Sequence, residues 1–536
     1  MQERPLNRTR GFAARLSLVF ILLVTFQILG LLTGCGGKNG SSGAGTTSGG
    51  TTGTGTGGGG TSQPPPPSSS ANQWTWVGGS DTTPYGSAGS PGVYGTESVA
   101  STANIPGART WSVGWTDGSG NLWLFGGRGN DSKGIVGTLN DLWKYDPANQ
   151  TWTWVSGANV LNQQTLGPSG VYGTQGVPSS TNVPGGRVAP VSWADANGNL
   201  WLFGGEGVDS NNVDGELNDL WEFSPSSGTW TWISGSDALN GSPGESIGSG
   251  PAGVYGTMGV PSATNTPGGR TNAMSWTDSS GNFWLFGGSG NGASGPPGEL
   301  NDLWKFNPTE KTWEWVSGSM QIAQPGNYGT QNLPSATNAP GGRDSATNWV
   351  DGAGNLWMLG GYGKDASGVL GMLDDLWEFQ TATSTWVWVG GSNSAGQDGS
   401  GTSGVYGTEG VSAHTNFPGS RLDGYAWTDS NGNLWLFGGA GVDSAPPTGG
   451  PLQLNDLWEF NPSTKMWTWV GGSKTGNMAG VYGTLDSAST KSMPGGRSAG
   501  VSWRDGFGNF WMFGGNGFNS EPVITNYQND LWRYQP

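Results

Sequence analysis

The chain has one cysteine and one histidine in 536 residues, and that scarcity removes most catalytic machinery at once. With Cys35 alone, no disulfide can form within a monomer. With His414 alone, Ser-His-Asp and Cys-His arrangements and histidine-rich zinc sites lack their parts. His414 stands in a segment where sister repeats have Ser180, Ala263 and Ala336, so it reads as a solvated loop histidine. Charge is scarce too: 11% of residues are charged, and the net charge of −16 leaves no basic excess for nucleic acid or an anionic membrane surface. No stretch carries a convincing helical period of 3.6 residues. Glycine is abundant, at 102 residues, and with so little charge this fits turn-dense β structure.

The N-terminus is set apart before any fold is read. Arg4, Arg8, Arg10 and Arg15 precede an apolar run from Leu16 to Leu32, which closes on Leu32-Thr33-Gly34-Cys35. That ending resembles a bacterial lipobox, and the resemblance implies that residues 1–34 are a signal peptide and that Cys35 is lipidated. A transmembrane anchor is the alternative, since 17 residues nearly span a bilayer. Gly36 rather than aspartate after the cysteine favours the outer membrane or cell surface. Residues 35–73 read as a Gly/Ser/Thr/Pro-rich tether ending in Pro64 to Pro67. Without the leader, 18 basic residues face 37 acidic ones, a net charge of −19.

Residues 74–536 repeat one phrase six times: R…W-x-D…GN-[LF]-W…GG…[ND]DLW…[YF]-x6-W-x-W. The Gly-Gly pairs end at Gly127, Gly205, Gly288, Gly361, Gly439 and Gly515, with spacings of 78, 83, 73, 78 and 76 residues. Each copy owns five tryptophans, and Trp111 is the odd one of 31. Within a copy four short strands are expected, separated by turn signals. Radial repetition into a β-propeller disposes of their edges. Five copies end in a Trp-x-Trp strand, and the sixth stops at Pro536 without one. The missing piece, Trp74-Thr75-Trp76, stands at the start of the domain and is expected to complete the sixth sheet and close the ring.

The Gly-Gly doublet, the aromatic, the six-residue step and the Trp resemble the kelch repeat of galactose oxidase-like propellers. The resemblance covers all six copies and implies a six-bladed, all-β propeller of four antiparallel strands per blade. The period departs from the usual ~50 residues of kelch repeats. The surplus lies before each first strand, as in Gly170-Val171-Tyr172-Gly173-Thr174 leading to Pro184-Gly185-Gly186-Arg187. In such a blade the long 2–3 and 4–1 connections leave from one face and the tight 1–2 and 3–4 turns from the other. The long-loop face is therefore the expected ligand face.

The resemblance brings a copper-radical oxidase to mind, and the lack of histidine and cysteine excludes it. Arg109, Arg187, Arg270, Arg343, Arg421 and Arg497 open the six first strands. A ring of guanidiniums suits carboxylates or sulfates; the alternative, favoured by equal numbers and strict repetition, pairs each with Asp141, Asp219, Asp302, Asp375, Asp456 or Asp530. Tyr94, Tyr172, Tyr255, Tyr328, Tyr406 and Tyr482 are ligand-face candidates for stacking on sugars or a partner protein, or else anchors for their own loops. The position after Gly-Gly breaks the repeat: Arg128, Glu206, Ser289, Tyr362, Ala440 and Asn516. Of these, Arg128, Glu206, Tyr362 and Asn516 are candidates for selectivity. The Asp-x-x-Gly-Asn turns lack the later acid of a calcium loop and read as side-chain-stabilised hairpins. The Trp-x-Trp pairs are expected to pack between neighbouring blades.

These residues lead to an expectation of a lipid-anchored extracytoplasmic binding protein, monomeric, without cofactor or metal, taking a glycan or protein at the cell envelope. Two alternatives stand beside it. One is a sialidase-like hydrolase using an arginine, a tyrosine and a carboxylate, although the Asp-box spacing of sialidases is not reproduced. The other is a structural envelope scaffold.

Overall fold

The computed structural model describes residues 71–536 except 84–87, 163–166, 245–247, 249, 448–449 and 522–525. The leader, the lipobox cysteine Cys35 and the tether up to residue 70 lie outside the described residues. Within them the chain is all-β, with a propeller-like arrangement of antiparallel sheets and a single short 3-10 turn at Gln397–Gly399.

The first repeat shows how the phrase becomes structure. Its strands are Arg109–Thr110, Val113–Thr116, Leu122–Asn130, Val136–Asp146 and Thr151–Ser156, all antiparallel. The tight turn after Thr116 is built by Asp117. Its Oδ1 accepts the N–H groups of Ser119 and Asn121, and its Oδ2 accepts Asn121 Nδ2 and Trp123 Nε1. This explains why Asp, Gly-Asn and Trp recur together, and it leaves the carboxylate no free lone pair for calcium. The Gly-Gly doublet makes a bulge between Phe125 and Gly127, with φ of 65° and 90° at Gly126 and Gly127. Side chains are excluded there by backbone: a Cβ on Gly126 would press on the carbonyl of Arg187 in the next repeat.

Successive repeats are joined the same way throughout. The indole N–H of Trp115 donates to the carbonyl of Trp201, and Trp193, Trp276, Trp349 and Trp427 donate likewise to Trp284, Trp357, Trp435 and Trp511. Trp503 of the sixth repeat donates to Trp123 of the first. The apolar clusters straddle these junctions: one combines Leu122, Trp143 and Trp152 with Val501, Trp511 and Phe513. Burial is thus mainly between repeats, the exception among the described residues being a small cluster of Val213, Leu217 and Leu239 within the second.

The N-terminal strand Gln73–Gly78 pairs antiparallel with Asn526–Gln535, the last strand of the chain, setting Trp74 opposite Tyr534 and Trp76 opposite Trp532. Trp74 packs on Phe437 of the fifth repeat as Trp152 packs on Phe513 and Trp230 on Phe125. The first tryptophan of each pair therefore does lie between repeats. The second does not: Trp154 stands edge-on to Tyr94 of its own repeat and donates to Ser156 O.

The surplus segments also differ from the expectation of free loops on one face. Ser98 and Ser101 N–H groups donate to the carbonyls of Trp154 and Trp152, so part of the segment runs along the outer strand and covers its edge. His414 is exposed in the corresponding segment of the fifth repeat.

Candidate functional site

The six arginines are buried, none more than 1% exposed, and each meets the aspartate of its own repeat at 2.6 to 2.9 Å. Arg109 shows the pattern. Nη1 and Nη2 grip both oxygens of Asp141, while Nε and Nη1 also donate to the carbonyls of Gly107 and Gly126. Asp141 Oδ2 accepts further bonds from Tyr94 OH at 2.6 Å and Trp143 Nε1 at 2.7 Å. Burial would lower the arginine pKa, and the adjoining carboxylate more than reverses it. The phenols are pushed up by burial first and the aspartate second. Neither ring has surface to offer a ligand. The expectation that Tyr94, Tyr172, Tyr255, Tyr328, Tyr406 and Tyr482 line a ligand face is corrected here: they are 3 to 5% exposed, with each hydroxyl committed to an aspartate.

Two residues after each arginine the backbone turns left-handed, at Trp111, Ala189, Asn272, Ser345, Asp423 and Ala499, with φ between 46° and 58°. The N–H of each donates to the carbonyl of its counterpart in the preceding repeat, and Trp111 donates to Ala499, at 2.7 to 3.1 Å. This girdle divides the first strands into two levels. Trp111 reaches past the sixth repeat to Asp423 of the fifth, Nε1 to Oδ2 at 3.4 Å.

Beyond the girdle, towards the tight turns, two adjoining cavities of about 400 and 300 Å³ share Gly114, Trp115, Thr116 and Val350. Their polar side chains are largely used up. Ser192, Ser275, Asn348, Thr428, Ser502 and Thr116 each donate to a carbonyl of a neighbouring first strand. The charged side chain that lines this space is the exposed Arg504.

On the other side of the girdle the repeat lapses. The position after Gly-Gly pairs across the ladder with the third strand, giving Arg128–Thr138, Glu206–Glu216, Ser289–Glu299, Tyr362–Met372, Ala440–Gln453 and Asn516–Tyr527. Directly opposed residues share a face of the sheet, so each repeat presents a different pair. Arg128 is exposed, Tyr362 is 36% exposed, and Glu206 and Asn516 are half-buried. Carboxylates gather here. Burial and then Glu206 raise Asp214 and Glu216 to about 7, and burial raises Asp344 to about 8, with Glu299 and Asp423 contributing. Glu206 is raised by burial and held back by Arg128. The Tyr527 phenol is raised by burial and held back by Arg128. Among the described residues no group of three or more His, Cys, Asp or Glu side chains is placed to hold a metal ion.

Sequence reasoning singled out Arg128, Glu206, Tyr362 and Asn516 and passed over Asp214, Glu216, Glu299, Asp344, Asp423 and Tyr527, which stand at the girdle or on that side of it. Reading the ladder across from the position after Gly-Gly would have found four of these. Trp111 was visible as the tryptophan that fits no copy.

No family model matches the chain, and no curated protein matches it. Among solved structures, one titled "Structure of YjhT" superposes over 80% of this chain and 96% of its own, at 15% identity and a TM-score of 0.45.

Proposed function

We propose that this protein is a lipid-anchored, extracytoplasmic binding protein without catalytic activity, built as a closed six-bladed propeller of kelch type. The unbroken succession of Trp-to-carbonyl bonds, including Trp503 to Trp123, supports the closed ring. One observation carries the functional reading. The framework of arginine, aspartate, tyrosine and tryptophan recurs in all six repeats, while the ladder pairs beginning at Arg128, Glu206 and Tyr362 all differ. A scaffold alone has no use for such asymmetry on one side of the girdle. The ligand is a glycan or a protein bearing groups that suit Arg128, Tyr362 and Asn516.

Binding of arrayed glycans and envelope proteins by the intact chain tests this. Arg128→Ala and Tyr362→Ala should each weaken capture by tenfold or more, about 1.4 kcal/mol, with folding unchanged. Equal binding by both variants and the parent would overturn the site. A labelled fatty acid should be incorporated by the parent and not by Cys35→Ser; a parent that stays in the membrane without taking up the label would favour a spanning anchor.

A second reading, a sialidase-like hydrolase, draws support from the meeting of Arg128, Tyr527 and Glu206. Against it, burial holds the Tyr527 phenol above its ordinary range, where a nucleophile needs the reverse. Glycoside hydrolysis abolished by Tyr527→Phe would establish that reading in place of the first.

A further inference from the structure

The second and third repeats differ from the others in the region between girdle and long loops. In the second, the strand after Gly-Gly, Glu206–Val208, and its partner Asp214–Glu216 form a small sheet with Arg187–Val188, separate from the four-stranded remainder of the repeat. In the first repeat the corresponding strands run unbroken from Leu122 to Asn130 and from Val136 to Asp146. Two backbone bonds, Gly204 N–H to Asp219 O and Leu217 N–H to Gly205 O, tie the small sheet to that remainder, and Gly248 N–H donates to Asp214 O along its outer edge.

That same hairpin carries an unusual set of side chains. Glu206 and Glu216 are directly opposed, and Asp214 lies two residues along the strand from Glu216 and so on the same face. Like charges in directly opposed positions destabilise a ladder. Among the described residues, the groups that bear on the trio are few. Arg128 comes from the second strand of the first repeat, and Asn291 of the third repeat donates to Glu216 Oε2 at 3.4 Å. The first strand opposes Glu206 with Val188, which is neutral. Arg128 bears on Glu206 and Asp214, Glu216 has the side chain of Asn291 to offset its neighbour Glu206, and the arginine is itself exposed.

We propose that the hairpin from Glu206 to Glu216 is a proton-responsive element, closed in mildly acidic surroundings and loosened as its three carboxylates ionise towards neutral pH. The direction follows from linkage. A carboxyl that holds its proton more tightly in the closed hairpin than in the open one stabilises the closed form fully below the ordinary carboxylate range. The contribution falls as pH rises towards the closed-state value, about 7 for Asp214 and Glu216, and is gone above it. The element lies on the surface assigned above to ligand binding, yet its behaviour does not depend on what that surface binds.

Hydrogen exchange of the intact protein, followed by mass spectrometry at pH 5 and pH 7.5 and corrected for intrinsic exchange, tests this without a ligand. The corresponding hairpin of the first repeat, residues 128–138, has no opposed carboxylates and serves as an internal control. Protection across 206–216 should fall by about tenfold or more relative to that control, since each unit of pKa shift is a tenfold preference. In Glu206→Gln/Glu216→Gln the excess loss should shrink to threefold or less. Parallel behaviour of the two hairpins in the parent protein, or an undiminished pH response in the double variant, would overturn the proposal. The parent comparison decides the matter even if the double variant folds poorly.

Discussion

Replacing Trp74 by alanine is the sharpest test of how the two ends of the chain meet. Trp74 is 2% exposed, and its ring lies 5.0 Å from Tyr534, 5.2 Å from Phe437 and 6.3 Å from Trp532. A buried aromatic of this size removes roughly 200 Å² from water, about 5 kcal/mol at 25 cal/mol per Å². Truncation leaves a cavity and typically costs about 3–5 kcal/mol. Trp230 is the matched control, 1% exposed and in the equivalent position, but carried within its own repeat rather than some 450 residues away from its sheet partner. If the N-terminal strand completes the last sheet, Trp74→Ala and Trp230→Ala should lower unfolding stability in urea by similar amounts. A chain beginning at residue 80 should be destabilised further, and a peptide of residues 71–79 should restore it in trans. A Trp74→Ala variant within about 0.5 kcal/mol of the parent, beside a Trp230→Ala variant that loses 3 or more, would refute the pairing; surface changes are of that smaller size.

Two further outcomes follow from buried charge. Arg187→Met leaves the Asp219 carboxyl in the interior without its cation and should cost about 3–5 kcal/mol. Arg187→Met/Asp219→Asn, which removes the acid but keeps an oxygen to accept from Tyr172 and Trp221, should recover part of the loss, and equal losses in the single and double variants, measured by urea unfolding, would contradict the pairing energetics. Asp344 is raised to about 8 by burial, partly offset by its bond to Ser345 and then furthered by Glu299 and Asp423. Its protonated form stabilises the fold fully below the ordinary aspartate value, and this contribution is lost as pH rises to about 8. Asp344→Asn should therefore flatten the decline in stability between pH 4 and 8, and an unchanged profile would show that Asp344 is not the group responsible.

Much of the framework was legible because each motif is a local chemical device repeated six times. Asp117 builds its turn from neighbours within six residues, and Gly126-Gly127 announces a bulge with positive φ. The pairing of Arg109 with Asp141 could be anticipated from equal numbers, although the partners are 32 residues apart. The six tyrosines left two readings open, ligand contact or anchor of their own loops, because tyrosine in a glycine-rich loop reads the same whether its ring faces solvent or folds back. Tyr94 folds back because Asp141 has a lone pair to spare for its hydroxyl, a fact only the three-dimensional neighbourhood supplies.

The amino-acid sequence by itself determined the repeat, the strand content, the tight turns and the absence of histidine and cysteine chemistry, since these depend on residues near one another along the chain. Tertiary structure alone decided which polar groups were already satisfied and which remained available. It buried the arginine and tyrosine rings, joined left-handed residues from six repeats into one girdle, and brought Glu206 and Asp214 of the second repeat near the exposed Arg128 of the first, while Asp344 of the fourth came to lie near Glu299 and Asp423. The physical reason is that burial and charge act through space. Whether a carboxylate is a partner or a surplus depends on what other segments bring to it.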